Sequence, residues 1–296
     1  MTGAEQGFLL LTGWLGDPER RPLTVAQFRE LTRRARLMDK PVQDRDLTES
    51  DLKAMGCDEA FSRRVLKLLS QQEQLAWYLE KGNQEGCIPI TRYDENYPDR
   101  VRKGLALEAP GSLWAKGDLA LLEKPCISLV GSRDLCPQNR NFARELGKQA
   151  ALQGYTLVSG NARGADRTAQ DSCLAHGGTV ISVVADALGK CEEAQHVLYL
   201  SEHGFDLPFT SQRALSRNRI IHCLSPKTFV AQCSLEKGGT WDGTCKNLQQ
   251  GWSTVFCFYD GSQAIRELTQ RGGIPVGTDS LQNLDRLRSN ILSYME

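Results

Sequence analysis

The sequence predicts an α/β protein, a doubly wound and mostly parallel sheet preceded by a small helical domain. Three observations carry this expectation. From residue 86 onward, short apolar runs alternate with stretches of helical spacing. Most of the runs from residue 126 onward are continuously apolar, as strands covered on both faces are. Residues 1–85 show helical spacing and no strand signal. At 296 residues, 40% apolar and 24% charged, the chain has ample length to bury a core.

The start, "MTGAEQGFLLLTGWLGDPER", has no basic leader, and its apolar stretch falls short of the roughly 7–15 residues of a signal peptide. No run reaches the roughly 18 residues a membrane helix needs. A cytoplasmic protein with no membrane contact is expected. "DLTESDLKAMGCDEAFSRRVLKLL" reads as two short helices that turn at Gly56, the first capped by Thr48. Leu52, Met55, Phe61, Val65, Leu68, Leu69, Leu75 and Leu79 continue the helical stripe. Two readings of this unit stand, a plain helical cap on the main domain and a module that touches nucleic acid. The expected division is a helical domain over 1–85 and the main domain over 86–296.

Strands are expected at "CIPI" (87–90), "SLWAK" (112–116), "CISLV" (126–130), "YTLVS" (155–159), "TVISVV" (179–184), "HVLYL" (196–200), "TFVAQC" (228–233) and "TVFCF" (254–258). Between them, Phe142, Leu146 and Ala150 form one helical stripe, "ADRTAQDSCLAH" another, and "SQAIRELTQRGG" ends in helix-closing glycines. Ligands of such sheets bind at the carboxyl ends of the strands.

The ten cysteines include no CxxC pair. Cys126, Cys223, Cys233 and Cys257 sit in apolar runs, which reads as buried free thiols. His176, His196, His203 and His222 show no metal-ligand spacing, so no metal is expected. Net charge is zero, but residues 126–170 carry Arg133, Arg140, Arg144, Lys148, Arg163 and Arg167 against three acidic residues. Residues 211–246 carry Arg213, Arg217, Arg219, Lys227, Lys237 and Lys246 against Glu236 and Asp242. The positive charge is concentrated where the Gly-rich turns are.

In "LVGSR", Gly131, Ser132 and Arg133 follow a strand and bring backbone N–H groups, a hydroxyl and a guanidinium near a helix start, the physical make-up of a phosphate site. "SGNARGAD" repeats this with Gly160, Arg163, Gly164 and Asp166, and "SLEKGGTWDGT" with Lys237, Gly238, Gly239 and Thr240. "LSRNRII" adds Arg217, Asn218 and Arg219, which could equally be a solvated helix face. Each turn alone is ordinary turn chemistry, and Asp166 could simply neutralise Arg163. Three turns at one sheet edge would form a groove for a polyanion. Neither GxGxxG nor GxxxxGK[ST] occurs, so no dinucleotide cofactor or ATP hydrolysis is indicated.

The segments "VGSR", "LVSGNARGAD", "SEHG…PF…SRNRIIHCLS" and "EKGGTWDGT…GW…VF" resemble, in order and spacing, the DNA-processing protein family DprA/Smf. The resemblance covers about residues 86–276, including the lead-in "YDENYPDRVRKGLALEAPGSLWAKGDLALLEKPCISLVGSR", and extends loosely to the N-terminus, where the family often carries a SAM-like domain. It implies a Rossmann-like domain that binds single-stranded DNA and hands it to a RecA-type recombinase, usually in natural transformation. It implies no catalytic residue and no cofactor, and a homodimer is left open. By motif, Gly131, Ser132 and Arg133, then Gly160, Arg163, Gly164 and Asp166, then Arg217, Asn218 and Arg219, then Lys237 and Gly238 match the family's segments. Asn161, Gln170 and "GGTWDGT" depart from it, and the winged-helix domain that ends many members is not expected after the sheet.

Two rival functions remain. "GGTWDGT" has some likeness to the PGGxGTxxE turn of phosphoribohydrolases of the same superfamily, but Asn247 stands where their Glu would act, and an amide cannot take the proton. Glu236 or Asp242 could substitute. A sensor for a nucleotide-derived ligand would use the same turns without chemistry. Trp241 could stack on a base or pack on the sheet, while Trp77 and Trp114 are assigned to packing.

Overall fold

The computed structural model describes residues 1–38, 47–202 and 204–287. His203 of the "SEHG" segment and the last residues of the expected 86–296 unit lie outside them.

Five helices come first: α1 (Gly3–Thr12), α2 (Val25–Arg36), α3 (Glu49–Ala54), α4 (Glu59–Leu69) and α5 (Gln72–Gln84). Threonines begin three of them. Thr2, Thr24 and Thr48 each accept the N–H of the residue three positions on, and that residue's side chain returns the bond in a capping box. Asp58 caps α4, and Gly56 takes the expected turn between α3 and α4 with φ +72°. Leu11, Leu31, Leu52, Val65 and Leu68 form a small core of their own. Leu9, Leu10, Leu75 and Tyr78 instead share a core with Trp114, Val184 and Phe205 of the sheet region.

The strands are β1 (Cys87–Thr91), β2 (Ser112–Gly117), β3 (Cys126–Val130), β4 (Thr156–Ser159), β5 (Thr179–Val184), β6 (Val197–Glu202), β7 (Lys227–Val230), β8 (Thr254–Phe258) and β9 (Ile274–Val276). They form a single sheet in the order β1-β2-β6-β5-β4-β3-β7-β8-β9. β2 is antiparallel to both its neighbours and every other pair is parallel, so the sheet is mostly parallel as the sequence predicts. Helices α6 (Asp99–Leu105), α7 (Pro137–Leu152), α8 (Ala165–Ala175), α9 (Ser211–Ser216), α10 (Asn218–Leu224), α11 (Gly238–Gln250) and α12 (Gln263–Gln270) connect the strands. Phe142, Leu146 and Ala150 of α7 and Ala169 of α8 cover one face, while Ile220, Ile221, Trp241, Ile265 and Leu268 cover the other.

Several strand ends differ from the sequence reading by one or two residues, β7 by three, and one strand is additional. β7 ends at Val230, paired with Val130, although Ala231 N–H still donates to the Val130 carbonyl and Ser132 N–H to the Gln232 carbonyl. β9 was not read at all: three residues with a central Pro275 show no alternation. All ten cysteines are free thiols; Cys223, Cys233 and Cys257 are buried and Cys126 partly so. Burial pushes the Cys223 and Cys233 thiols up to about 12.

Candidate nucleic-acid interface

The chain leaves β3 toward β4 on one side and returns at β7 on the other, so strand order reverses at β3. Doubly wound sheets open a crevice at such a point. The three Gly-rich turns follow β3, β4 and β7 and meet there in a cleft of about 460 Å³, whose lining includes Arg133, Asp166, Arg217 and Lys237.

Hydrogen bonds lock the turns to one another. Ala165 N–H donates to the Ser132 carbonyl at 3.1 Å, and Ser132 N–H donates to the Gln232 carbonyl at 2.9 Å. The Gln232 side chain accepts from Cys136 N–H at 2.9 Å and donates to the Asp134 carbonyl at 3.2 Å. Gly164, at φ +91°, passes so close that a Cβ there would stand 2.5 Å from the Ser132 carbonyl oxygen. A Cβ on Gly131 would overlap Ala165. These glycines are needed for backbone approach.

The first turn differs from its sequence reading. Helix α7 starts at Pro137, not directly behind Arg133, and the Ser132 hydroxyl also donates to the Gln232 carbonyl, at 3.1 Å. Ser132 is therefore part of the scaffold. Arg133 is exposed and has no ion-pair partner among the described residues, and Lys237 stands the same way. Arg163 does not pair with Asp166. It meets Asp134 at 2.7 Å, where both side chains are largely exposed and the pair is worth little.

Asp166 pairs instead with Arg217, Oδ2 to Nη2 at 3.9 Å, and both side chains are more than nine-tenths buried. The carboxylate also accepts Ala162 N–H at 3.2 Å. A Cβ on Gly160 would fall inside the Arg217 guanidinium, so the bare glycine makes room for it. Burial raises the Asp166 pKa, opposed by Arg217; burial lowers that of Arg217, opposed by Asp166, and the Arg133 charge lowers it further. The Nε and Nη1 groups of Arg217 find no hydrogen-bond partner among the described residues. Three N–H bonds of a permanently charged group are thus enclosed beneath the cleft floor without a partner.

The third turn completes the wall. Lys237 precedes α11 without a side-chain cap, leaving the first-turn N–H groups of Gly238, Gly239 and Thr240 for an anion. Asn218 is a scaffold residue here, its amide donating to the Gly239 carbonyl at 3.0 Å. Arg219 corrects the sequence reading: it bonds Glu202, the Glu108 carbonyl and the Ser216 carbonyl, and does not line the cleft. The RNR segment therefore offers one cation, because successive residues on this helical stretch point different ways.

Trp241 is buried in the core, which is the packing alternative of the two read from the sequence. Trp114 is buried as expected, whereas Trp77 is exposed, with the Lys81 ammonium 5.5 Å from its ring. Phe209, the phenylalanine of the matched "PF", to which the sequence reading assigns no role, is 48% exposed on a second cleft that shares Arg133 and Arg217 and continues to Lys190. Its sequence signals are its place in that matched segment and its position in a Pro-containing loop with no strand or helix period.

Asn247 is fully buried, 3.0 Å from His222 Nδ1 and bonded to Ser253. Burial pushes the His222 pKa down to about 3, so the ring stays neutral at neutral pH. Glu236 and Asp242 are exposed and do not line the cleft. Among the described residues, the paired Asp134 and Asp166 are the carboxylates that line it. Among the described residues, no group of three or more His, Cys, Asp or Glu is placed to hold a metal ion, and no helix is long and apolar enough to cross a membrane.

A family model described as DNA recombination-mediator protein A matches residues 89–257. Protein Smf of Escherichia coli is 29% identical over 235 residues, covering 74% of this chain and 60% of that protein. DNA processing protein DprA of Bacillus subtilis is 30% identical over 188 residues, covering 60% and 61%. The chain thus spans about three-fifths of the length of these relatives. The X-ray structure of DNA processing protein A from Streptococcus pneumoniae superposes with a TM-score of 0.72 at 22% identity, over 97% of this chain and 100% of that one. That of Helicobacter pylori, described for its single-stranded DNA binding mode, gives 0.57 at 23%, over 71% and 96%. The fold is therefore that of these proteins, a Rossmann-like sheet with helices before it. With more than half of its residues matched by the family model, the chain belongs to the DNA recombination-mediator protein A family.

Proposed function

We propose that this protein binds single-stranded DNA along the carboxyl edge of its sheet and passes it to a RecA-type recombinase, in natural transformation or recombination, without itself doing chemistry on the strand. The observation that carries the reading is the convergence, at one cleft, of the exposed cations Arg133 and Lys237 and the open start of α11, with the buried Arg217 charge beneath them. Phosphate oxygens would meet Arg133, Lys237 and the α11 N–H groups, and Phe209 would offer its exposed ring to a base. The single-stranded DNA binding described for the Helicobacter pylori relative supports this, and the family's description as a recombination mediator supports the hand-over.

If about four phosphates are neutralised, log K should fall with log salt at a slope of about −3, from roughly −0.7 per phosphate. Arg133→Ala and Lys237→Ala should each flatten that slope by about 0.7 and leave the melting temperature nearly unchanged. Arg219→Ala should do the reverse, lowering the melting temperature with the slope intact. Fluorescence anisotropy across a salt series checks this, and a slope near zero in the wild type would remove the phosphate reading.

The size of the cleft, about 460 Å³, favours one rival, a sensor of a mononucleotide-derived ligand. Competition by a mononucleotide equal to that by a DNA strand would favour it. Hydrolysis is a third reading that the buried Asn247 opposes. Incubation with nucleoside monophosphates should release no free base above background. Turnover abolished by Glu236→Gln would overturn this.

A further inference from the structure

β1 is antiparallel to β2, which is antiparallel to β6, so β1 points the same way as the parallel strands. Its carboxyl end, followed by Arg92 and Tyr93, therefore emerges at the same sheet edge as the three Gly-rich turns. β1 lies three strand spacings beyond β5, about 14 Å at roughly 4.8 Å each.

Tyr93 is 54% exposed, an unusual place for a ring that is also well held. Phe8 and Phe28 meet it edge-on from α1 and α2, with centroids at 5.3 and 6.4 Å. A ring fixed on one side and open on the other is a platform rather than a core residue. Cations surround it. Arg36 of α2 and Arg92 lie within electrostatic reach of the phenol, and Arg29 and Arg102 within reach of Arg92. Arg92 Nη2 donates to the Ala106 carbonyl at 3.1 Å, while its Nη1 is buried without a partner among the described residues. Of the nearby acids, Glu5 accepts from Thr2 in its capping box and from the Thr91 hydroxyl at 3.5 Å, Asp94 holds Asn96, Asp99 is paired with Arg102 and Lys103, and Glu95 and Glu108 are exposed. Arg29 and Arg36 have no ion-pair partner among the described residues.

A base-sized aromatic platform ringed by arginines is what a single strand recognises without regard to sequence. We propose that Tyr93, with Arg36 and Arg92, is a second station for single-stranded DNA, holding the strand after it leaves the cleft at Phe209 and runs on past β6 and β2. This rests on the reading of the cleft above. It makes the helical unit, through α2, part of the nucleic-acid surface, and it makes affinity depend on strand length.

The test compares oligothymidylates of about four and about twelve nucleotides, roughly 14 and 41 Å at 3.4 Å per nucleotide. Fluorescence anisotropy is measured for the wild type, Tyr93→Phe, Tyr93→Leu and Arg36→Glu, with melting temperatures for each. The expected result is a loss of about tenfold in affinity for the long strand in Tyr93→Leu and Arg36→Glu, with the short strand unaffected and Tyr93→Phe unchanged. Long-strand affinity unchanged in both Tyr93→Leu and Arg36→Glu, or a parallel loss for both lengths, would overturn the second station while leaving the cleft. Failure of the wild type to bind either length would overturn both. Arg36→Glu lies on an exposed helix face, so it keeps the test valid even if Tyr93→Leu loosens the Phe8 and Phe28 contacts.

Discussion

Replacing Arg217 with methionine should destabilise the fold by about 3–5 kcal/mol at neutral pH, the usual cost of leaving a buried charge without its partner. The stranded group is Asp166, more than nine-tenths buried and 3.9 Å from the guanidinium in the intact protein. Burial already raises the Asp166 pKa above the ordinary 3.8 with Arg217 present. The folded state then holds that proton to higher pH than the unfolded chain does, so this group's contribution turns unfavourable as pH rises through the window above 3.8. Removing Arg217 raises the pKa further, and the deficit of the variant should shrink as pH falls. Asp166→Asn combined with Arg217→Met removes both charges, keeps an acceptor for Ala162 N–H, and should recover most of the lost stability. DNA affinity should stay low in both variants. Urea denaturation at two pH values, beside anisotropy, separates the roles. A loss below about 1 kcal/mol that ignores pH would mean Asp166 does not depend on Arg217.

Gly164→Ala should cost about 3 kcal/mol or more and cripple DNA binding together with stability. At φ +91° and ψ −122° the backbone lies where only glycine is comfortable, which alone accounts for about 1–3 kcal/mol. The added Cβ would also press on the carbonyls of Ser132 and Arg133, which are backbone and cannot swing aside. The turns after β3 and β4 would part, and Arg133 would leave its place beside Arg217. Gly238→Ala is the control. Its φ is +83°, but a Cβ there meets nothing within 4 Å, so only the smaller conformational cost of about 1–2 kcal/mol applies. Equal losses at the two positions would show that the turns are not locked as described.

Most strands and the three turns were legible because their signals are local. A continuous apolar run such as "TVISVV" marks β5 to the residue, and glycines after such runs mark the turns. Partner choice was not legible. Arg163 sits three residues from Asp166 in sequence, yet Asp166 takes Arg217 from a helix end that the fold brings across, and Arg163 turns out to Asp134. Arg217 and Arg219 look equivalent in "RNR", but one lies beneath the cleft and the other fastens Glu202. Spacing along a chain fixes the direction of a side chain only once the helix is placed. Phe209 and Tyr93 lie in the matched segments "PF" and "YDENYPDR", yet the sequence reading assigns them no role for a related reason: an exposed aromatic in a loop has no period to announce its contacts, and only three-dimensional neighbours show that it faces cations.

The core shared between α1, α5 and the sheet has a consequence for how this protein can be cut or exchanged. Tyr78 lies against Trp114 at 5.1 Å and against Phe205 at 4.7 Å, with Leu9, Leu10 and Leu75 beside them. A gene fragment that began at residue 86 would deliver Trp114, Val184 and Phe205 bare to water as one contiguous apolar patch, the kind that drives aggregation. The helical unit and the sheet therefore bury one core together. Swapping in the helices of a distant relative would succeed only where their sequence also supplies a ring at the position of Tyr78 and a small residue at Gly82, against which Trp114 packs.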